Sequence, residues 1–245
     1  MTFGGFMAST EKAVSSKKDE LKETTFIPPK VVAVANTKGG VGKTTVALQI
    51  AITRALQGKE VWYVDGDRQQ TGQTALALRD ANDPKVGIAC ASYPNGAMLV
   101  KQVQRQKDKW DTIVIDVGGF DSTAMRAALL VCDVLIVPFQ PRTFDTWSLS
   151  QMATLIDEVS VTRGEFPVYA ILNSADPGNT SDNRDSEQAI EDFPRMKFLD
   201  CPLCRRKAFA NASGFGLAVS ELKTKDPKAI AEVRNLVEAI FGKEK

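Results

Sequence analysis

The stretch Asn36-Thr-Lys-Gly-Gly-Val-Gly-Lys-Thr-Thr45 gathers glycines, lysines and hydroxyls in a spacing that can hold phosphate. Gly39, Gly40 and Gly42 let the backbone curl so that its N–H groups point inward. Those donors, the N-terminus of a following helix and Lys43 form a nest for a polyphosphate. Thr44 puts a hydroxyl where it can ligate Mg²⁺. The ordinary phosphate-loop pattern has Gly five positions before the Gly-Lys pair. Here Thr37 stands at that position, and a second lysine, Lys38, precedes the glycines. A flexible Gly-rich linker is the bland alternative, and the strand before the loop and the helix after it argue against that.

Two acidic segments could serve the same chemistry. Asp65-Gly-Asp67 sets two carboxylates two residues apart at the end of an apolar run, where both can face a metal–phosphate site. Asp116-Val-Gly-Gly119 ends another run, as suits an acid that holds Mg²⁺ through water, with glycines that let the loop approach a γ-phosphate. The chain of 245 residues has no histidine, which excludes Ser-His-Asp and Cys-His catalysis and His-ligated metals. Phosphoryl transfer to water fits this composition, because positioning and charge neutralisation do most of its work.

The elements that position these residues are legible from hydropathy. Apolar, β-branched runs at 31–35, 61–64, 112–115, 134–137 and 168–172 lack polar alternation, as strands buried on both faces of a parallel sheet do. Helical stretches lie at 44–57, 73–82, 97–107, 123–130 and 147–163. Strand and helix alternate at βαβ spacing, which predicts an α/β fold with a doubly wound, mostly parallel sheet. Ligands of such sheets bind beyond the carboxyl ends of the strands, where the phosphate loop and both acidic segments fall.

Residues 1–29 are polar and end in Pro28-Pro29, and they read as a mobile N-terminal arm with a helical turn around 11–22. Residues 30–245 read as one domain. The last helix, 227–241, carries Ile230, Val233, Leu236, Val237 and Ile240 on one face. Its polar face mixes both charges, so packing on the sheet is preferred to a membrane-targeting tail. Cys90 and Cys132 lie in apolar runs and are expected in the core. Cys201-Pro-Leu-Cys204 is a lone CxxC without further zinc ligands, and it is read as reduced thiols. No run reaches the ~18 apolar residues needed to cross a bilayer, and the expectation is a cytoplasmic protein without stable membrane insertion. Net charge is only +1, but residues 140–194 are strongly acidic and 195–245 basic. That asymmetry favours nucleic-acid contact.

Lys38-Gly-Gly-Val-Gly-Lys-Thr-Thr45 resembles the deviant Walker A motif of the ParA/MinD ATPases. Asp65-Gly-Asp67 is similar to that family's switch I, and Asp116-Val-Gly-Gly119 to its Walker B and switch II. The segments 138–147, 206–209 and 216–221 resemble the short plasmid-partition ParA subgroup, with its VirC1-like conjugation relatives. The resemblance covers most of residues 30–241. It departs at Arg68-Gln69, where many members carry Pro-Gln.

The resemblance implies that Lys38, Gly39, Gly40, Val41, Gly42, Lys43, Thr44 and Thr45 bind ATP, with Lys43 on the β- and γ-phosphates. Lys38 would reach across a dimer interface to the partner's phosphates. Asp67 would orient the attacking water, and Thr44, Asp67 and Asp116 would serve Mg²⁺. Asn173, at the end of the fifth predicted strand, is a candidate adenine contact. Arg205, Arg206 and Lys207 are candidate DNA-binding residues.

The implied function is a DNA-segregation ATPase. ATP binding would drive a homodimer onto DNA without sequence preference, and a ParB-like adaptor would stimulate slow, Mg²⁺-dependent hydrolysis. An ATPase assisting conjugative transfer shares this chemistry. A MinD-like, membrane-associated positioning ATPase would need a basic, apolar C-terminal tail that is absent. An iron–sulfur relative would need cysteines after the switch strands.

Overall fold

The structure is a computed structural model, and it describes residue 1 and residues 26–82, 84–141, 146–178 and 180–243. The helical turn expected around 11–22 lies outside the described residues. Among the described residues, eight strands form one sheet in the order β3-β2-β4-β1-β5-β6-β7, with β8 also pairing β6, and every pairing is parallel. The strands are β1 Val31–Val34, β2 Val61–Asp65, β3 Ala89–Ser92, β4 Thr112–Asp116, β5 Val134–Phe139, β6 Val168–Ala175, β7 Lys197–Phe198 and β8 Leu203–Cys204. The helices are α1 Lys43–Leu56, α2 Thr71–Asp80, α3 Gly96–Gln106, α4 Thr123–Val131, α5 Thr146–Arg163, α6 Ser181–Gln188, α7 Lys207–Gly214 and α8 Pro227–Phe241.

The central strands β1, β2, β4 and β5 are buried along their whole length. Helices cover both faces, as continuous apolar runs require. One core layer joins the sheet to α3, α4 and α5, and the other joins it to α1, α2, α7 and α8. The apolar face of α8, with Val233, Leu236, Val237 and Ile240, lies within the second layer. Packing on the sheet is therefore the role of the last helix. Cys132 is buried as expected, whereas Cys90 is only half-buried, because it lies on β3, the edge strand.

β1 sits between β4 and β5, while the chain leaves it for β2, beyond β4. Strand order therefore changes direction at β1, and a crevice opens beyond its carboxyl end. The loop after β1 enters that crevice, with the ends of β2 and β4 on one side and of β5 and β6 on the other.

A segment between α7 and α8 ties the first two helices together. In α1, the buried Gln49 donates to the Leu217 carbonyl at 3.1 Å and accepts from the Val219 N–H at 2.9 Å. In α2, the fully buried Arg79 donates to both oxygens of Glu221, at 2.5 and 2.8 Å, and to the Val86 carbonyl at 3.2 Å. Removing one partner of a buried ion pair strands the other charge, at a cost of about 3–5 kcal/mol. Arg79→Ala is expected to lower the unfolding free energy by about that much in denaturant titration, and Arg79→Met with Glu221→Leu to recover most of it. A single variant as stable as the parent would show that the pair carries no such constraint.

Candidate nucleotide and metal site

The loop from Asn36 to Gly42 is shaped by its own backbone and by four neighbouring segments. Gly40 and Gly42 have φ of 77° and 89°, in the left-handed region that glycine accepts without strain. Gly42 is the N-cap of α1 and provides no side chain to the first-turn N–H groups. Those donors are left for an external acceptor, which favours an anion at the helix N-terminus.

The neighbours fasten the loop from several directions. At its start, the Asn36 amide donates to the Pro138 carbonyl at 2.9 Å, and its Oδ1 accepts from the Lys38 N–H at 2.9 Å. Thr37, the residue in place of glycine, donates to the Ser148 carbonyl of α5 at 3.0 Å. From the end of β5, Gln140 reaches the Gly40 carbonyl at 3.2 Å. The Asn173 amide donates to the Val41 carbonyl at 2.7 Å. Asn173 is aimed by a β-bulge, in which the next residue, Ser174, has φ 55°.

Charged groups converge on this loop. Lys43 is buried, and its Nζ donates to the Lys38 carbonyl at 2.8 Å. Burial holds its pKa below the ordinary lysine value, against the opposing pull of the Asp116 and Asp67 carboxylates. Asp116, at the tip of β4, is buried, and desolvation pushes its pKa up to about 7, although hydroxyls of Thr44 and Tyr63 and the charge of Lys43 favour its ionised form. Asp116 Oδ2 accepts from the Tyr63 hydroxyl at 2.9 Å, whereas Oδ1 is buried and has no hydrogen-bond partner among the described residues.

Asp67 packs against Gly118, where a Cβ would stand 3.1 Å from its Oδ1. A Cβ on Gly119 would stand 2.8 Å from the Gly39 Cα and 3.1 Å from Lys43 Nζ. The loop after β4 thus lies directly on the phosphate-binding loop.

Lys43, Thr44, Asp67 and Asp116 are therefore brought together. Asp65 is not part of that group, contrary to the reading of two acids facing the metal. Both its oxygens accept backbone N–H groups, from Asp67 at 2.9 Å and Gln73 at 2.8 Å. It shapes the turn that presents Asp67 and caps the start of α2. Thr45 points elsewhere, with its hydroxyl 3.4 Å from that of Ser213 in α7.

The basic triplet is also divided. Arg206 donates to Glu232 of α8 at 2.6 and 2.9 Å and is only 17% exposed, so its charge is spent holding β8 to α8. Arg205 and Lys207 are exposed.

The donor set suits Mg²⁺ more than a transition metal. Among the described residues no three Cys, Asp or Glu side chains cluster as metal ligands. Mg²⁺ usually takes one or two protein oxygens and completes its shell with water and phosphate. The unpartnered Asp116 Oδ1 beside Thr44 fits that pattern.

Where β6 ends, a cavity of about 350 Å³ is lined by Leu172, Asp176, Asn183 and Arg184, among others. A larger cavity of about 780 Å³, lined by Asn211, Phe215 and Glu221 among others, includes no residue of the phosphate-binding loop. A shallow nest of backbone N–H groups need not form a deep cavity.

Residues 32–219 match the model of the CobQ/CobB/MinD/ParA nucleotide binding domain, and the chain belongs to that family. It is 25% identical over 213 residues to the maintenance of carboxysome distribution protein A of Halothiobacillus neapolitanus, covering 86% of this chain and 95% of that one. It is 24% identical over 217 residues to the protein ParA of Rhizobium radiobacter, covering 87% and 96%. In fold it is similar to the ATP complex of a Cyanothece McdA variant, with a TM-score of 0.71 and 15% identity over 90% of this chain and 99% of that one.

The close approach at Gly42 can be tested directly. A Cβ there would stand 2.0 Å from the Asn173 amide nitrogen, at a positive φ that side chains rarely adopt. Strain of this kind costs about 1–3 kcal/mol. If the loop shifts to relieve it, Gly42→Ala should weaken ATP binding by about one to two powers of ten in titration calorimetry. Parent-like affinity would show that this contact does not set the loop's shape.

Proposed function

We propose that this chain is a ParA-type ATPase acting in DNA segregation, of a plasmid or a chromosome. The observation that carries the reading is the convergence of Lys43, Asp67 and the half-satisfied Asp116 on a lysine-flanked phosphate loop. ATP is held by the backbone N–H groups of residues 39–45, with Lys43 on its β- and γ-phosphates and its adenine beside Asn173. Thr44 and Asp116 hold Mg²⁺, which neutralises charge developing on the transferred phosphoryl group. Asp67, presented by the Asp65 turn, orients the attacking water. Lys38 acts on the partner's nucleotide, so that binding of two ATP molecules closes a homodimer.

The dimer binds DNA through exposed cations of the C-terminal part, Arg205 and Lys207 among them. A ParB-like adaptor stimulates hydrolysis and release, and the protein is nucleoid-associated. One observation supports DNA rather than a lipid surface as the platform: the apolar face of α8 lies in the core.

A second reading keeps this chemistry and changes the cargo. Two relatives, 25% and 28% identical, are named for carboxysome distribution, so a protein assembly is the alternative to a DNA molecule.

Phosphate contacts are insensitive to sequence and weaken steeply with salt. A dimer doubles the contacts and can raise avidity about 10²-fold. Retention on unrelated DNA should therefore require ATP and fall as salt rises. Arg205→Ala with Lys207→Ala should weaken it at least about tenfold and reduce the slope of log affinity against log salt by about 1 per lost phosphate contact, while dimerisation persists. Arg206→Ala should act on stability instead. Equal binding without nucleotide, or an unchanged double variant, would contradict the DNA-platform reading.

A further inference from the structure

Asp116 is constrained through one oxygen. Oδ2 accepts from the Tyr63 hydroxyl at 2.9 Å, and the buried Oδ1 has no partner among the described residues. The Thr44 hydroxyl also favours the ionised carboxylate, but the Tyr63 bond is the one formed to Oδ2, and it restrains the carboxylate's rotation while Oδ1 is left for a ligand.

Tyr63 reaches Asp116 from the adjacent strand. β2 and β4 pair in parallel, with Tyr63 opposite Val114 and Asp65 opposite Asp116. All four residues therefore share the sheet face that carries α1. The phenol extends along its own strand to the carboxyl edge and meets Asp116 there. It is 0% exposed, so a hydroxyl without an acceptor would carry an unpaired buried donor.

Space for that hydroxyl is made by α2. A Cβ on Gly72, in its first turn, would stand 2.3 Å from the Tyr63 oxygen and 2.6 Å from its Cε1. Glycine weakens a helix by about 1 kcal/mol relative to alanine, so its presence there has a packing reason.

We propose that Tyr63 is a positioning residue for the metal site, fixing the rotation of the Asp116 carboxylate so that Oδ1 remains available to the metal's ligand shell, with Gly72 reserving the hydroxyl's place. This rests on the Mg²⁺–nucleotide reading above. The hydroxyl takes no part in bond making or breaking. It acts only through Asp116.

The test is the Mg²⁺ concentration that half-maximally tightens binding of a fluorescent, non-hydrolysable ATP analogue. It is measured for the parent, Tyr63→Phe, Asp116→Asn and the double variant. Loss of a residue that orients a metal ligand typically costs 10–100-fold in metal affinity. Tyr63→Phe should raise the half-point about tenfold or more, leave analogue affinity in EDTA unchanged, and add nothing once Asp116→Asn is present. Gly72→Ala, which leaves both partners in place but crowds the hydroxyl, should shift the half-point in the same direction. A half-point within about twofold of the parent for Tyr63→Phe, or a full rise persisting in the Asp116→Asn background, would overturn the assignment while leaving the nucleotide reading intact. A parent that binds the analogue with no dependence on Mg²⁺ would overturn both the assignment and the Mg²⁺ reading on which it rests.

Discussion

The phosphate-binding edge depends on how closely separate stretches of backbone approach the loop after β1. Asn173 lies where a Cβ of residue 42 would be, and Gly39 and Lys43 lie where they would meet a Cβ of residue 119, in the loop after β4. These contacts come from strands on opposite sides of β1, so the change of strand direction there brings them to one crevice. The hydrogen bonds from Asn36, Thr37, Gln140 and Asn173 then hold the loop from outside. Its own N–H groups stay directed at the crevice.

The same enclosure sets the electrostatics. Burial disfavours charge on both Lys43 and Asp116, although each lies near groups of opposite sign. Such a pair is only partly compensated by the protein. A polyanion on Lys43 and a cation on Asp116 would each favour the charged form, so binding of both is linked through one buried site. Asp65 shows the opposite use of a buried carboxylate, since both of its oxygens are committed to the backbone that carries Asp67 into α2.

The sheet and its main helices were legible because their side chains follow a clear period. The runs 31–35, 61–64, 112–115, 134–137 and 168–172 became β1, β2, β4, β5 and β6, and the last helix fell on Pro227–Phe241 as read. The strands β7 and β8 are two residues long and leave no pattern to find. Helix α6, Ser181–Gln188, buries only Ser186 and has no apolar stripe. At the site, the phosphate loop announced itself by glycine and lysine spacing. Asn36, Thr37, Tyr63 and Gln140 did not, because their roles depend on residues 53 to 111 positions away. The basic triplet misled for a related reason. Three adjacent cations read as one patch, but the chain turns Arg206 inward to Glu232 between two exposed neighbours.

In the proposed dimer the two lysines of the loop serve different nucleotides, Lys43 its own and Lys38 the partner's. Light scattering with the Mg²⁺ complex of a non-hydrolysable ATP analogue, paired with calorimetry, tests this most directly. The parent should pass from monomer with ADP to dimer with the analogue. Lys43→Ala should bind neither nucleotide and stay monomeric, because the phosphates lose their principal cation. Lys38→Ala should bind the analogue and remain a monomer. A parent of the same mass in both nucleotides, or a Lys38→Ala variant that dimerises as fully as the parent, would contradict the account.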